Sequence, residues 1–129
     1  MMESLGAALL ARAEEDSVAA RATLDIGDVT DAIVGFHAQQ AVEKALKSVL
    51  DANEIAFPFT HDIRGLIDLC AASGIAVDPR LSEDGPALTP YAVQIRYGAS
   101  GSGSVKREEA VTLAEVAVAW ARDARRTAE

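Results

Sequence analysis

Apolar side chains along this chain recur at intervals of three and four residues, the spacing of a helix face, and nowhere alternate strictly as a half-buried strand requires. Five helical segments follow from that pattern. The first is predicted from about Glu3 to Leu24, with Leu5, Leu9, Ala13 and Ala20 on one side and Arg12, Glu14, Glu15 and Asp16 facing out, and with Gly27 ending it. Asp28 or Thr30 is placed to cap a second helix, which carries Ile33, Phe36, Val42, Leu46, Val49 and Leu50 to about Ala52 and has the strongest apolar run. Phe57-Pro58-Phe59 interrupts helix, so Thr60 is expected to cap a third, with Ile63, Leu66, Ile67 and Leu69 inward until Gly74. Pro79, Gly85, Pro86 and Pro90 predict a broken helix leading to a segment that ends at Arg96-Tyr97. After the loop from Gly98 to Ser104, a last helix begins with Ser104 as cap. Glu108 and Glu109 lie in its early turns and Arg122, Arg125 and Arg126 near its end, the polarity that complements a helix dipole.

Composition sharpens this to an all-α fold, an up-and-down bundle of four to five helices. Aromatic residues make up 5% of the chain and hydrophobic ones 50%, with alanine throughout, so helices can approach over small side chains. A chain of 129 residues supports one core, and residues 1–129 are expected to form a single domain. The net charge of -8 argues against a protein that coats nucleic acid through bulk charge, although a local basic groove stays open. Cys70, the only cysteine, lies between Leu69 and Ala71 and reads as an inert core thiol. No apolar run reaches membrane-spanning length and no basic-apolar leader opens the chain, so a cytoplasmic protein is expected.

Candidate chemistry gathers at three places. On the second helix Gln40, Lys44 and Lys47 share a face and offer amide and ammonium donors to one anion; the alternative is an i,i+4 pair of Glu43 with Lys47 on a solvated surface. Gln39 and Gln40 follow Phe36 by one turn, so at least one should meet another helix and find partners there. His61 stands at a helix start, where exposed amides attract a phosphate, yet Thr60-His61-Asp62 is also an ordinary capping sequence. Arg96 is obligatorily charged and needs an anion, either Glu43 or another carboxylate, or a phosphate held bidentately. Tyr97 beside it can stack a base or anchor a helix end. His37 has no companion at metal-ligand spacing, and neither metal nor cofactor is expected.

The run Phe36-His37-Ala38-Gln39-Gln40-Ala41-Val42-Glu43-Lys44-Ala45-Leu46-Lys47, then Thr60-His61-Asp62-Ile63, then Tyr91-Ala92-Val93-Gln94-Ile95-Arg96-Tyr97, resembles in order and spacing a HEPN domain, the prokaryotic and eukaryotic nucleotide-binding helical domain. The resemblance spans about Ala7 to Ala124. Many HEPN proteins are metal-independent ribonucleases marked by an arginine, a polar residue after it, and a histidine four to six positions after the arginine. Here Arg96 is followed by Tyr97-Gly98-Ala99-Ser100-Gly101-Ser102, without that histidine. The match is closer to a branch whose members often accompany a minimal nucleotidyltransferase in toxin-antitoxin-like or regulatory pairs.

That resemblance implies an accessory protein, more a binder than an enzyme, that takes a nucleotide or other phosphate ligand and partners a minimal nucleotidyltransferase. Arg96, Lys44, Lys47, His61, Gln40 and Tyr97 are the expected ligand contacts, and no residue is assigned a catalytic role. Alanine-rich faces and the resemblance together imply a homodimer; RNA is a further candidate ligand. The alternatives are an unconventional ribonuclease that uses a nonlocal His61 and a structural dimerisation module.

Overall fold

In a computed structural model, the structure describes residues 4–93 and 105–128. Arg96 and Tyr97, together with the expected cap Ser104, lie outside the described residues.

Helix α1 spans Leu5–Thr23, opened by Ser4, whose hydroxyl accepts from the Ala7 amide. Helix α2 spans Asp31–Ala52 and is capped by Thr30, which accepts from Ile33 N. Helix α3 covers Ile63–Ala72 and α4 Pro79–Asp84, followed by a short 3-10 turn over Gly85–Leu88 and a helical start at Tyr91. Helix α5 covers Arg107–Ala128. Among the described residues there is no strand, and no helix is long and apolar enough to cross a membrane.

Side-chain bridges fix the helix directions. Arg107 at the start of α5 meets Asp31 at the start of α2, and Arg125 near the end of α5 donates to the Ser48 carbonyl late in α2, so the two run parallel. Arg21–Glu115 and Arg122–Glu14 tie α1 antiparallel to α5. The shorter elements supply the crossover that a parallel α2–α5 pair requires.

One continuous core sits around α2, where Val34, Val42, Leu46, Val49 and Leu50 are fully buried, joined by Ile63, Leu66 and Cys70 of α3, Leu81, Leu88, and Leu113 and Val111 of α5. Alanines 13, 20, 38, 41, 45, 110, 114, 117 and 121 are also fully buried, so the long helices touch over methyl groups. The closest approach is at Gly35. A side chain there would run into the Tyr91 ring, whose hydroxyl donates to the Val105 carbonyl at 2.8 Å.

Several local expectations are corrected. Leu5 is 59% exposed rather than inward, and Phe36 is half-buried, edge-on to His37, rather than central to the core. Asp16 does not face solvent freely but turns toward α2. Helix α3 begins after Asp62, not at Thr60; the Thr60 hydroxyl accepts from the Asp62 amide, a tight turn that delivers the chain into the helix. Leu69 is half-buried, and Cys70 takes the inward position.

Candidate functional site

Helix α2 carries two polar clusters on opposite flanks of its apolar stripe. On the flank toward α1, Asp16 receives Lys44 Nζ at 2.8 Å on one oxygen and lies 3.1 Å from His37 Nδ1 on the other. On the flank toward α3, Glu43 is the hub. Its Oε1 accepts from Gln39 Nε2 and from His61 Nδ1, both at 2.8 Å, and its Oε2 accepts from Lys47 Nζ at 2.8 Å. Gln40 extends the chain by donating to Gln39 Oε1 at 2.7 Å.

The Glu43 cluster is buried. The Glu43 side chain is 5% exposed and that of Lys47 11%, and Gln39 is fully enclosed. Burial alone would push the Glu43 carboxyl upward, but hydrogen bonds from Lys47, His61 and Gln39 and the Lys47 charge outweigh it, and the group sits below its ordinary value. Glu43 is therefore a carboxylate. Because an ionised carboxylate only accepts, the His61 nitrogen facing it must carry a proton, which leaves Nε2 unengaged by Glu43 on a side chain that is 52% exposed. Lys47 also lies 5.8 Å from the centre of the Phe57 ring.

The start of α3 is partly served by protein groups, with no cap hydrogen bond from the Asp62 side chain. The Ile63 amide donates to the Thr89 hydroxyl at 3.3 Å, and the Asp62 carboxylate folds back beside Gly65 in the first turn. His61 is directed at Glu43 rather than across this helix end.

The expected ligand donors thus fall into separate surroundings. Lys44 is drawn to Asp16, Lys47 to Glu43, and Gln40 to Gln39, so the face that they share on α2 is divided between two neighbours. His61 and Lys47 are brought together by one carboxylate. Sequence reasoning offered the i,i+4 pair of Glu43 with Lys47, which forms but is buried rather than solvated; it missed Glu43 as the hub for Gln39 and His61, and Asp16 as the partner of His37 and Lys44. The signal for Glu43 was present: two glutamines, an acid and two lysines within nine residues of an otherwise apolar helix must satisfy one another when buried. Asp16 lies 28 positions from Lys44, and no local pattern links them.

Among the described residues no group of His, Cys, Asp and Glu has the arrangement to hold a metal ion. Cys70 is enclosed in the core, and burial pushes its thiol up to about 11, the opposite of what a nucleophile needs.

The arrangement is that of a small helical protein with a buried, charge-balanced centre and one outward imidazole. The HEPN domain model matches residues 7–124, and the chain belongs to the HEPN family. Among solved structures it is similar to TT1696 from Thermus thermophilus, with 28% identity and a TM-score of 0.72, over 92% of this chain and 97% of that one. The curated proteins give no significant match.

Proposed function

We propose that this HEPN protein is a non-catalytic accessory subunit, acting as a single domain and a homodimer in the cytoplasm, that binds a nucleotide or other phosphate ligand on behalf of a minimal nucleotidyltransferase. The observation that carries the reading is the half-exposed His61, held by buried Glu43 through Nδ1 with Nε2 not engaged by that carboxylate. A fixed imidazole is a ready contact for a phosphate oxygen, and Arg96 is the obligatorily charged group proposed to share it. Lys47 backs His61 through the same carboxylate, whereas Lys44 and Gln40 contribute by holding α2 and its cluster in place. Tyr97 is proposed to stack on the base of a bound nucleotide.

The decisive experiment is calorimetric titration of nucleotides into wild type, Arg96→Ala and His61→Ala, with and without a purified minimal nucleotidyltransferase. Each substitution should weaken binding by about 1.5–3 kcal/mol, the worth of a hydrogen bond to a charged group. Absence of binding in every arrangement, or wild-type affinity in Arg96→Ala, ends the reading.

One observation favours a second reading. A histidine oriented by a carboxylate is also the arrangement of a general base, so Glu43–His61 is proposed as the alternative centre of an unconventional ribonuclease. RNA cleavage in chelator that disappears in both His61→Ala and Arg96→Ala, with the fold intact, would establish it over the accessory role.

A further inference from the structure

Beyond the last turn of α2 the chain makes an abrupt reversal, and there the surface is neither well covered nor charge-neutral. A groove of about 490 Å³ opens between the first turn of α1 and the segment 54–59. Its apolar walls include Leu5, 59% exposed, and Phe59, whose ring is fully in solvent. Phe57 and Pro58 continue that wall.

The charges around it do not balance. Lys47 borders the groove, but its ammonium is already joined to Glu43. Asp51 accepts the Gly6 amide at the positive start of α1, at 2.9 Å, with Arg125 packed over the same glycine, whereas the Glu54 carboxylate makes no hydrogen bond or ion pair among the described residues. Arg125 donates to the Ser48 carbonyl near the end of α2, so the unmatched charge at the rim is that of Glu54. A cation is favoured here, and an isolated phosphate is not.

Glu54 is also in an uncomfortable conformation. Its φ is +59°, the left-handed region that side chains with a Cβ avoid. The same helix-ending turn occurs twice in this molecule: Ile55 N donates to Leu50 O at 2.9 Å after α2, and Ile75 N donates to Cys70 O at 2.9 Å after α3. The position equivalent to Glu54 in the second turn is Gly74, with φ of +78°. One fold therefore uses glycine at one of these turns and tolerates a strained glutamate at the other, beside the exposed aromatic wall. Strain kept where glycine would relieve it points to a use for the side chain.

We infer that this groove docks a segment of a partner protein that combines an apolar anchor with lysine or arginine. The anchor enters between Leu5 and Phe59, and the cation meets Glu54. A second copy of the chain is a poor occupant, because at a net charge of -8 it would bring its own acidic rim. The inference rests on the accessory reading above only for what the partner does; the surface itself is defined by the groove.

The test uses the isotope-labelled full chain and three synthetic peptides of one length: leucine and phenylalanine interspersed with arginine, the same with glutamate for arginine, and the same with glutamine. The arginine peptide should bind saturably, with amide shifts centred on Leu5, Glu54, Phe57 and Phe59. It should bind about tenfold more tightly than the glutamate peptide and lose affinity with added salt. Glu54→Gly should weaken that binding while raising the urea midpoint of the protein, a pair of changes that a merely structural residue would not give. Phe59→Ser should weaken binding without lowering the midpoint. Equal binding of the three peptides, shifts elsewhere, wild-type affinity in Glu54→Gly, or concentration-dependent shifts at the groove without peptide would each overturn the inference. Adenosine monophosphate, titrated into a separate sample, keeps the two ideas apart: nucleotide binding without peptide binding removes the docking surface and leaves the ligand site standing, and the reverse outcome removes only the ligand site.

Discussion

Replacing Glu43 by glutamine changes one oxygen to an amide nitrogen and removes the charge on which three donors converge. Gln39, His61 and Lys47 all reach it at 2.8 Å, and the two charged side chains of the Glu43–Lys47 pair are 5% and 11% exposed. Removing one partner from a buried pair typically costs about 3–5 kcal/mol, because the remaining charge is left without compensation. Lys47 has a long stem that can carry its ammonium toward water, and glutamine still offers one acceptor, so the lower end applies: about 3 kcal/mol. Domains of this size have roughly 5–15 kcal/mol of stability, so the variant should fold. With a urea slope of about 2 kcal/mol/M, its midpoint should fall by about 1.5 M in unfolding followed by circular dichroism.

Two further measurements separate this cause from simple misfit. The folded-state value of Glu43 lies below its ordinary 4.5 because the hydrogen bonds outweigh burial. A depressed carboxyl contributes stability that is present above its unfolded value, near ~4.3, and is lost as pH falls through the lower folded value. The gap between wild type and Glu43→Gln should therefore be full at neutral pH and close as the solution is acidified below 4.5. Adding Lys47→Met to Glu43→Gln should recover part of the loss, since neither charge is then buried alone. A gap under about 1 kcal/mol at neutral pH, or one unchanged by acid, would show that the cluster is not the ion-pair hub inferred from its geometry.

Gly35→Ala places a methyl group into the Tyr91 ring and should cost about 1–3 kcal/mol through overpacking, more if the ring swings away and the Val105 carbonyl loses its donor; unchanged thermal stability would deny the contact. Cys70, enclosed and pushed up to about 11, should resist a thiol reagent at neutral pH in the native protein and react promptly in urea, and rapid native labelling would contradict its place in the core.

The fold was legible where local chemistry and burial agree. Thr30 is the cap of α2, Gly74 ends α3, the prolines from 79 to 90 break the helix, and Glu108, Glu109, Arg125 and Arg126 orient α5 along its dipole. Long-range polar contacts were not legible, because they are chosen by packing. Arg107 is the clearest case. A basic residue in the first turn of a helix opposes the dipole, which was a readable anomaly. Its explanation lies about 80 residues away, where its two terminal nitrogens donate to the carbonyls of Val29, Thr23 and Ile26 and to Asp31, clamping the turn between α1 and α2. Its Nε is buried and has no hydrogen-bond partner among the described residues. Gly35 carried a similar signal, a glycine inside a long helix that weakens it unless something comes close. The lysines read in the opposite sense: their helical spacing implies a shared anion site, but each is matched to its own carboxylate once α1 and the 53–62 segment are in place.

That matching bears on how a molecule of charge -8 could select a ligand. On α2 the cations Lys44 and Lys47 are balanced by Asp16 and Glu43, so the two lysines contribute little field of their own beyond a few ångströms. What projects outward is a fixed imidazole on one side of the Glu43 cluster and an acidic, aromatic groove beyond Lys47 on the other. These two features favour opposite charges. In the proposed assembly the phosphate-bearing ligand is met by His61 with Arg96, and the basic partner segment by Glu54. Glu43 lies between them, so a substitution there should disturb both kinds of binding, whereas Glu54→Gly and His61→Ala should each disturb one.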